Sequence, residues 1–232
     1  MKFEEIEVGD LQGIINIIRE KQLFFKNSRR PMLRGEKEIS YEPTAGIFRN
    51  ELAAQSEIAI FDEFKRYIPA FDSTDITNLW NVICLAQHHG LPTRLLDWTS
   101  NPLVATYFAC EGVSEEGAAV WAVWAFDECP PLPPSPLEIK TITTVTPLVI
   151  SPRMHVQHSE FTAHPDGRPL STYISENDLI LKIIIPKKLR IRFLLQLDFL
   201  GVNRKTLFPD LDGLCGYLKW RTNPELLRWV ND

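Results

Sequence analysis

The chain has no pair of cysteines at metal or redox spacing. Its four cysteines stand singly at 84, 110, 129 and 215, without a CxxC and mostly inside apolar runs, which suits a reducing cytosol better than a disulfide scaffold. Long apolar runs are missing too: none approaches the length of a membrane span. The N-terminus, acidic through Glu4, Glu5, Glu7 and Asp10, lacks the basic-then-apolar order of a signal peptide. Positive charge is not in excess either. With 25 Lys and Arg against 30 Asp and Glu, the net charge is -5 and the pI is near 5.6, so nothing draws the whole surface to nucleic acid or anionic lipid; only local basic patches can do so. No repeat occurs at solenoid periods. These absences point to a cytoplasmic protein with no membrane partner.

What is present is a chain of 232 residues, 44% apolar, long enough to bury a large core in one domain. Ile14, Ile17 and Ile18 give an amphipathic helix, and Met32 to Gly35 a short strand that carries an arginine. Ile58, Phe61, Phe64 and Ile68 define the inner face of a long helix whose outer face, Glu57, Asp62, Lys65 and Arg66, is expected in solvent. A second helix is expected from Asp75 to about His89, capped by Thr74 or Asp75 and ended by Gly90 and Pro92. The apolar run Ala118 to Phe126 reads as a strand buried on both faces, and Asp178 to Ile185 as another. Between them lie a stiff Pro-rich loop, a Thr/Val/Ile-rich stretch from Thr141 to Ile150, and a strand or strand-like loop from Arg153 to Thr162. Lys187 to Leu200 is a helix ended by Gly201. A last short helix from near Pro209 should turn Leu211, Leu214, Cys215 and Leu218 inward. The fold class is therefore α+β: a single domain, 1–232, with a mixed or antiparallel sheet, mainly helical over 1–112 and strand-rich over 113–232.

The chemistry concentrates between Gln87 and Ala109. Two imidazoles (His88, His89), Arg94, Asp97, Trp98, Thr99, Ser100 and Asn101 interleave with Leu91, Leu95, Leu96, Leu103 and Val104, so polar groups in this stretch must find partners inside the protein. Ser100 or Asn101 caps a helix with Pro102 in its first turn, and the free amides of that helix start face back toward Asp97 to Ser100, a position suited to an anionic ligand. In the simplest structural reading Arg94 neutralises Asp97 in a buried network. Arg34-Gly35 offers a planar fork for phosphate or carboxylate beside a glycine that lets a ligand approach the backbone. Cys84 and His88, spaced i and i+4, lack a third or fourth metal ligand, and an apolar helix face does not activate a thiolate. No metal is expected.

These residues carry a resemblance. Leu33-Arg34-Gly35, Gln87-His88-His89-Gly90, Thr93-Arg94-Leu95-Leu96-Asp97-Trp98-Thr99 and Asn101-Pro102, followed by Gln157, Phe161 and Leu207-Phe208-Pro209-Asp210, resemble the FRG domain of bacterial and phage proteins, named for a Phe/Tyr-Arg-Gly motif. Leu33 stands here in place of the aromatic. A second likeness is to ADP-ribosyltransferases in the order of motifs: Arg34-Gly35 on an early strand, Asp97-Trp98-Thr99-Ser100 before a helix with Ala105 and Phe108, and Gln157 to Glu160 late. It implies NAD as substrate, with Arg34 on a phosphate or ribose, the Gly35 backbone on the carboxamide, and Thr99 and Ser100 along the nicotinamide ribose. By the same likeness His88, Arg94 and Asp97 complete the binding set and Arg34, Gln157 and Glu160 the catalytic set. Gln157-x-Ser159 replaces the usual Glu-x-Glu or Gln-x-Glu, with Glu160 one residue off phase. The implied protein is an ADP-ribosyltransferase or NAD glycohydrolase acting as a toxin or defence effector, with water, a protein or a nucleic acid as acceptor. The alternative is a non-catalytic recognition module for a nucleotide, a phage component or a protein. Arg34, Arg94, Asp97, Thr99 and Gln157 are expected to face one cleft.

Overall fold

The computed structural model describes residues 3–24, 30–112, 114–125, 131–146, 152–175 and 178–223. Within these, seven strands form one mixed sheet: β1 (Glu4–Glu7), β2 (Met32–Glu36), β3 (Leu95–Thr99), β4 (Gly117–Trp124), β5 (Thr143–Val145), β6 (Ser159–Ala163) and β7 (Leu179–Pro186), in the order β1-β7-β4-β2-β3-β6-β5. The β1–β7 pair is parallel and every other pair antiparallel. The described helices are α1 (Leu11–Phe24), α2 (Glu51–Gln55), α3 (Glu57–Tyr67), α4 (Leu79–His88), α5 (Pro102–Cys110), α6 (Pro152–Val156), α7 (Arg190–Phe199), α8 (Arg204–Leu207) and α9 (Leu211–Arg221). The fold class is α+β, and the three strands read from sequence around Arg34, Val120 and Leu181 lie in one sheet; Phe126, at the end of the expected run, lies outside the described residues. Residues 1–112, read as mainly helical, also supply β1, β2 and β3.

All eight residues of β4 are buried, which is why its sequence shows no polar alternation. Ala118, Val120 and Ala122, with Leu181, Ile183 and Ile185 of β7, face α1, α5 and α7 through Leu11, Ile14, Val104, Ala105, Phe193 and Leu197. Ala119, Trp121 and Val123 face the other way, onto Leu96, Trp98, Ile142 and Leu170. A third cluster packs α3 and α4 against Leu95, Val145, Phe161 and Ala163 of the β3-β6-β5 end.

The feature that positions the site is a split. β2 and β3 share a single registered pair, Leu33 opposite Thr99, while residues 34–36 pair only with β4 and residues 95–98 only with β6. From Arg34 onward the two strands part, and the sheet becomes a four-stranded and a three-stranded half joined at one point.

Several expectations are corrected by side chains that outcompete periodicity. α4 starts at Leu79, capped by Asn78, whose side chain accepts from the Trp80 and Asn81 amides; Asp72 and Asp75 instead close local turns by accepting from Thr74 and Thr77, the usual competitor of helix initiation. In α3 the faces are partly reversed: Glu57 is buried and Ile58 is 64% exposed, because Glu57 is the buried partner of Arg94. The segment from Arg153 is not strand-like at its start. Pro152 opens α6, His158 takes a left-handed turn at φ 49°, and extended structure begins only at Ser159. Of the stretch from Thr141 to Ile150, Thr143–Val145 is strand, and residues 147–150 lie outside the described set.

α9 shows the largest reversal: Leu211, Leu214, Cys215 and Leu218 are exposed, Leu211 by 78%. The helix packs by its glycines. A Cβ on Gly213 would lie 1.8 Å from the Phe208 carbonyl oxygen and one on Gly216 2.3 Å from Arg204 Nε. Close approach on the glycine face turns the leucines outward.

Candidate functional site

The split opens into a cavity of about 560 Å3, lined from β2 by Arg34, Gly35 and Glu36, from β3 by Asp97 and Thr99, from α4 by Gln87, from α5 by Ala105 and Phe108, and from α6 and its exit by Arg153, Gln157 and Ser159. Lys37, Tyr41 and Arg49 close its far side. The volume falls in the range of small-molecule sites.

Arg34 spans the gap. Its Nε donates to Glu36 Oε1 at 2.5 Å and its Nη1 to the Asp97 carbonyl at 2.8 Å, so the guanidinium satisfies a strand carbonyl that lost its ladder partner where β2 and β3 part. The Asp97 carboxylate lies 4.0 Å from the same Nη1. Among the described residues Arg34 Nη2 has no hydrogen-bond partner. Glu36 is buried and also faces the Arg49 guanidinium at 3.9 Å.

Asp97 is held at the rim by a chain of donors. The Leu95 amide donates to Thr93 Oγ1, Thr93 Oγ1 to Gln87 Oε1, and Gln87 Nε2 to Asp97 Oδ2 at 2.6 Å. The amide orientation of Gln87 is thereby fixed, and the carboxylate, 55% exposed, is presented to the cavity. Cys84, on the same helix as Gln87, is no nucleophile: burial, with Asp97 adding to it, pushes its thiol up to about 12, and Cys110 is held equally high by burial. Burial, then His89 and Arg153, hold the His88 imidazole below its ordinary value. Among the described residues no three His, Cys, Asp or Glu side chains are placed to share a metal ion.

The structure brings Arg34, Gly35, Asp97, Thr99 and Gln157 to one cavity and leaves out four expected members. Arg94 does not neutralise Asp97. It is buried, donating from Nε and Nη2 to the two carboxylate oxygens of Glu57 at 2.8 and 2.5 Å. His88 lines a neighbouring hollow instead. Ser100 and Glu160 are not on the cavity wall; Glu160 follows Ser159 on β6, and successive strand residues face opposite sides.

Three of the members that do converge are held by the fold. Thr99 Oγ1 donates to the Gln157 carbonyl at 2.7 Å and accepts from the Asn101 amide, next to the Asn101 cap of α5. Gln157 Nε2 donates to the Leu207 carbonyl at 2.9 Å, tying the turn between α6 and β6 to α8. Gly35 is required by α5: a Cβ there would sit 2.1 Å from the Ala105 carbonyl oxygen and 2.3 Å from the Ala109 amide nitrogen, whatever a ligand needs.

Residues 29–117 match the model of the FRG domain. The FRG domain thus holds β2, β3, α2 to α5 and the Arg34, Gln87 and Asp97 side of the cavity, while the wall built by α6 and β6, with Arg153, Gln157 and Ser159, lies beyond the matched residues. No curated protein and no solved structure matches the chain. Leu33, in the place of the motif's aromatic, is 1% exposed and packed into the core against α5, so the side chain at this position fills the core. Sequence reasoning missed Glu36, Arg49, Tyr41 and Arg153. Only Glu36 left a signal, two residues after Arg34 on a strand and therefore on its face.

Proposed function

We propose that the split cavity of this FRG domain protein binds NAD or a related nucleotide by its phosphates. The observation that carries the reading is the charge of the wall: Arg34, Lys37, Arg49 and Arg153 against two carboxylates, Glu36 and Asp97, in a chain whose net charge is -5. Such a local excess of arginine forks suits phosphate. Tyr41, half exposed at the rim, and Phe108 on the inner wall offer aromatic faces for a base or a nicotinamide ring. Arg34 is the phosphate anchor, with Glu36 orienting its fork.

Any chemistry here is cleavage of the nicotinamide bond, with ADP-ribose passed to water or to a macromolecular acceptor, as in a toxin or defence effector. The oxocarbenium-like state of that step calls for a fixed negative charge. Asp97 fits this role better than Glu160, because its carboxylate is on the wall and its orientation is set by Gln87. The recognition-module reading also has an observation in its favour: Thr99 Oγ1 and Gln157 Nε2 are engaged in internal hydrogen bonds.

Calorimetry with NAD and a nicotinamide-release assay separate the readings. Arg34→Lys keeps a charge beside Glu36 but loses the fork, and is expected to weaken NAD binding about tenfold, the equivalent of one charge-assisted hydrogen bond. Asp97→Asn should leave binding nearly unchanged and depress release, because its role belongs to the transition state. Binding without release by the wild type selects the recognition module. No heat with an intact fold refutes the nucleotide site.

A further inference from the structure

Beside the cavity lies a second hollow of about 550 Å3, lined by His88, His89, Pro152, Arg153, Pro209 and Asp210, and sharing Gln87, Gly90 and Arg153 with the first. Arg153 stands on the wall of both. Its guanidinium lies 4.5 Å over the Phe208 ring, and that ring is braced by the Arg204 guanidinium at 5.0 Å, itself bound to Glu111. Arg153 is thus held by stacking, and among the described residues it has no carboxylate partner.

Asp210 is the carboxylate on this wall and offsets the Arg153 charge, so an anion here would be held by the guanidinium fork itself rather than by a net positive hollow. Asp210 spends a carboxylate oxygen on the Gly213 amide at 2.7 Å as the cap of α9. His88 and His89 pack edge to face, and a neutral His88 offers an N–H donor without a competing charge. A stacked guanidinium without a carboxylate partner among the described residues, sharing a wall with an imidazole donor, is the chemistry of an anion site.

Resting on the nucleotide reading of the first cavity, we infer that Arg153 and His88 form a second anion subsite, and that the ligand is a pyrophosphate-linked dinucleotide spanning both hollows, with one anionic centre at Arg34 and the other at Arg153. A mononucleotide would occupy the Arg34 side alone.

Isothermal calorimetry on the full chain tests this with NAD, AMP and inorganic tripolyphosphate, using wild type and Arg153→Met, which keeps an apolar stem on Phe208. Loss of one charge-assisted fork is expected to weaken NAD and tripolyphosphate about tenfold while AMP changes by less than about twofold. Arg153→Lys, which restores charge without the fork, should recover part of the loss. If AMP and NAD weaken equally, the ligand does not span the two hollows; if neither NAD nor tripolyphosphate changes, Arg153 is no subsite. A wild type that binds tripolyphosphate through Arg153 but neither nucleotide overturns the nucleotide reading and the dinucleotide, and leaves the anion subsite.

Discussion

Arg94 shows how a residue can be recognised as important and given the wrong partner. Asp97 is three positions away, which on a helix would place the two together. Here Arg94 sits in the bend just before β3 and Asp97 on the strand itself, so helical spacing does not bring the two side chains together. The arginine therefore turns inward to Glu57, 37 positions earlier, which helical periodicity alone had assigned to solvent. The pair is buried on both sides, with side-chain exposures of 8% and 11%, so breaking it from one end should be costly. Arg94→Met is expected to destabilise the fold by about 3 to 5 kcal/mol, because it strands a buried carboxylate, and the Glu57→Gln/Arg94→Met double variant by clearly less. Urea unfolding of wild type and the two variants reads this directly from the midpoint at constant slope. A double variant as unstable as the single one would mean that packing, not charge, sets the cost.

At the scale of elements, legibility followed the strength of one signal against its competitors. β4 and β7 were readable because a strand buried on both faces is a continuous apolar run, and α5 because Asn101, Pro102 and Gly112 supply cap, first turn and stop. The start of α4 was misread because Thr74, Asp75 and Asn78 are all competent caps, and only tertiary packing chooses between them. Ile76 and Leu79 lie against the α3 cluster, and the chain reaches that cluster through two Asp–Thr turns before the helix begins. Asn78→Ala should therefore remove a cap serving two amides and cost about 1 kcal/mol, whereas Asp75→Ala, at the expected cap position, should leave the unfolding midpoint nearly unchanged. α9 was unreadable for the opposite reason. Its glycines carry no hydrophobic signal, yet they dictate which face touches the protein.

On the scale of the whole molecule, the convergence of Arg34, Asp97, Thr99 and Gln157 was foreseeable from polar residues embedded in apolar sequence, but the split that turns convergence into a cavity was not, because a missing strand pair leaves no residue signature. Within the three-stranded half, His164, which follows β6, ties β6 to β3: its amide donates to the Arg94 carbonyl at 2.9 Å, and its Nε2 lies 2.9 Å from Thr162 Oγ1, which accepts from Trp98 Nε1. Burial, reinforced by Arg34 and partly opposed by Asp166, holds this imidazole down to about 4, against an ordinary value of 6.5. A histidine whose folded value is depressed binds its proton more readily in the unfolded chain. Its contribution to stability is therefore fully present above pH 6.5 and is lost as pH falls toward 4, at up to about 1.4 kcal/mol per pH unit and on the order of 3 kcal/mol in all. His88, depressed in the same direction by burial, adds to the same window. Asp166, held down to about 2 chiefly by Arg168, loses its contribution only as pH falls from its ordinary value of 3.8, below that window. Urea midpoints at pH 7.5 and pH 4.5 for wild type and His164→Gln should show a steep acid loss in the wild type and a much shallower one in the variant; equal losses would remove His164 as the source, and the end of the β3–β6 pair with it as the acid-sensitive point of the fold.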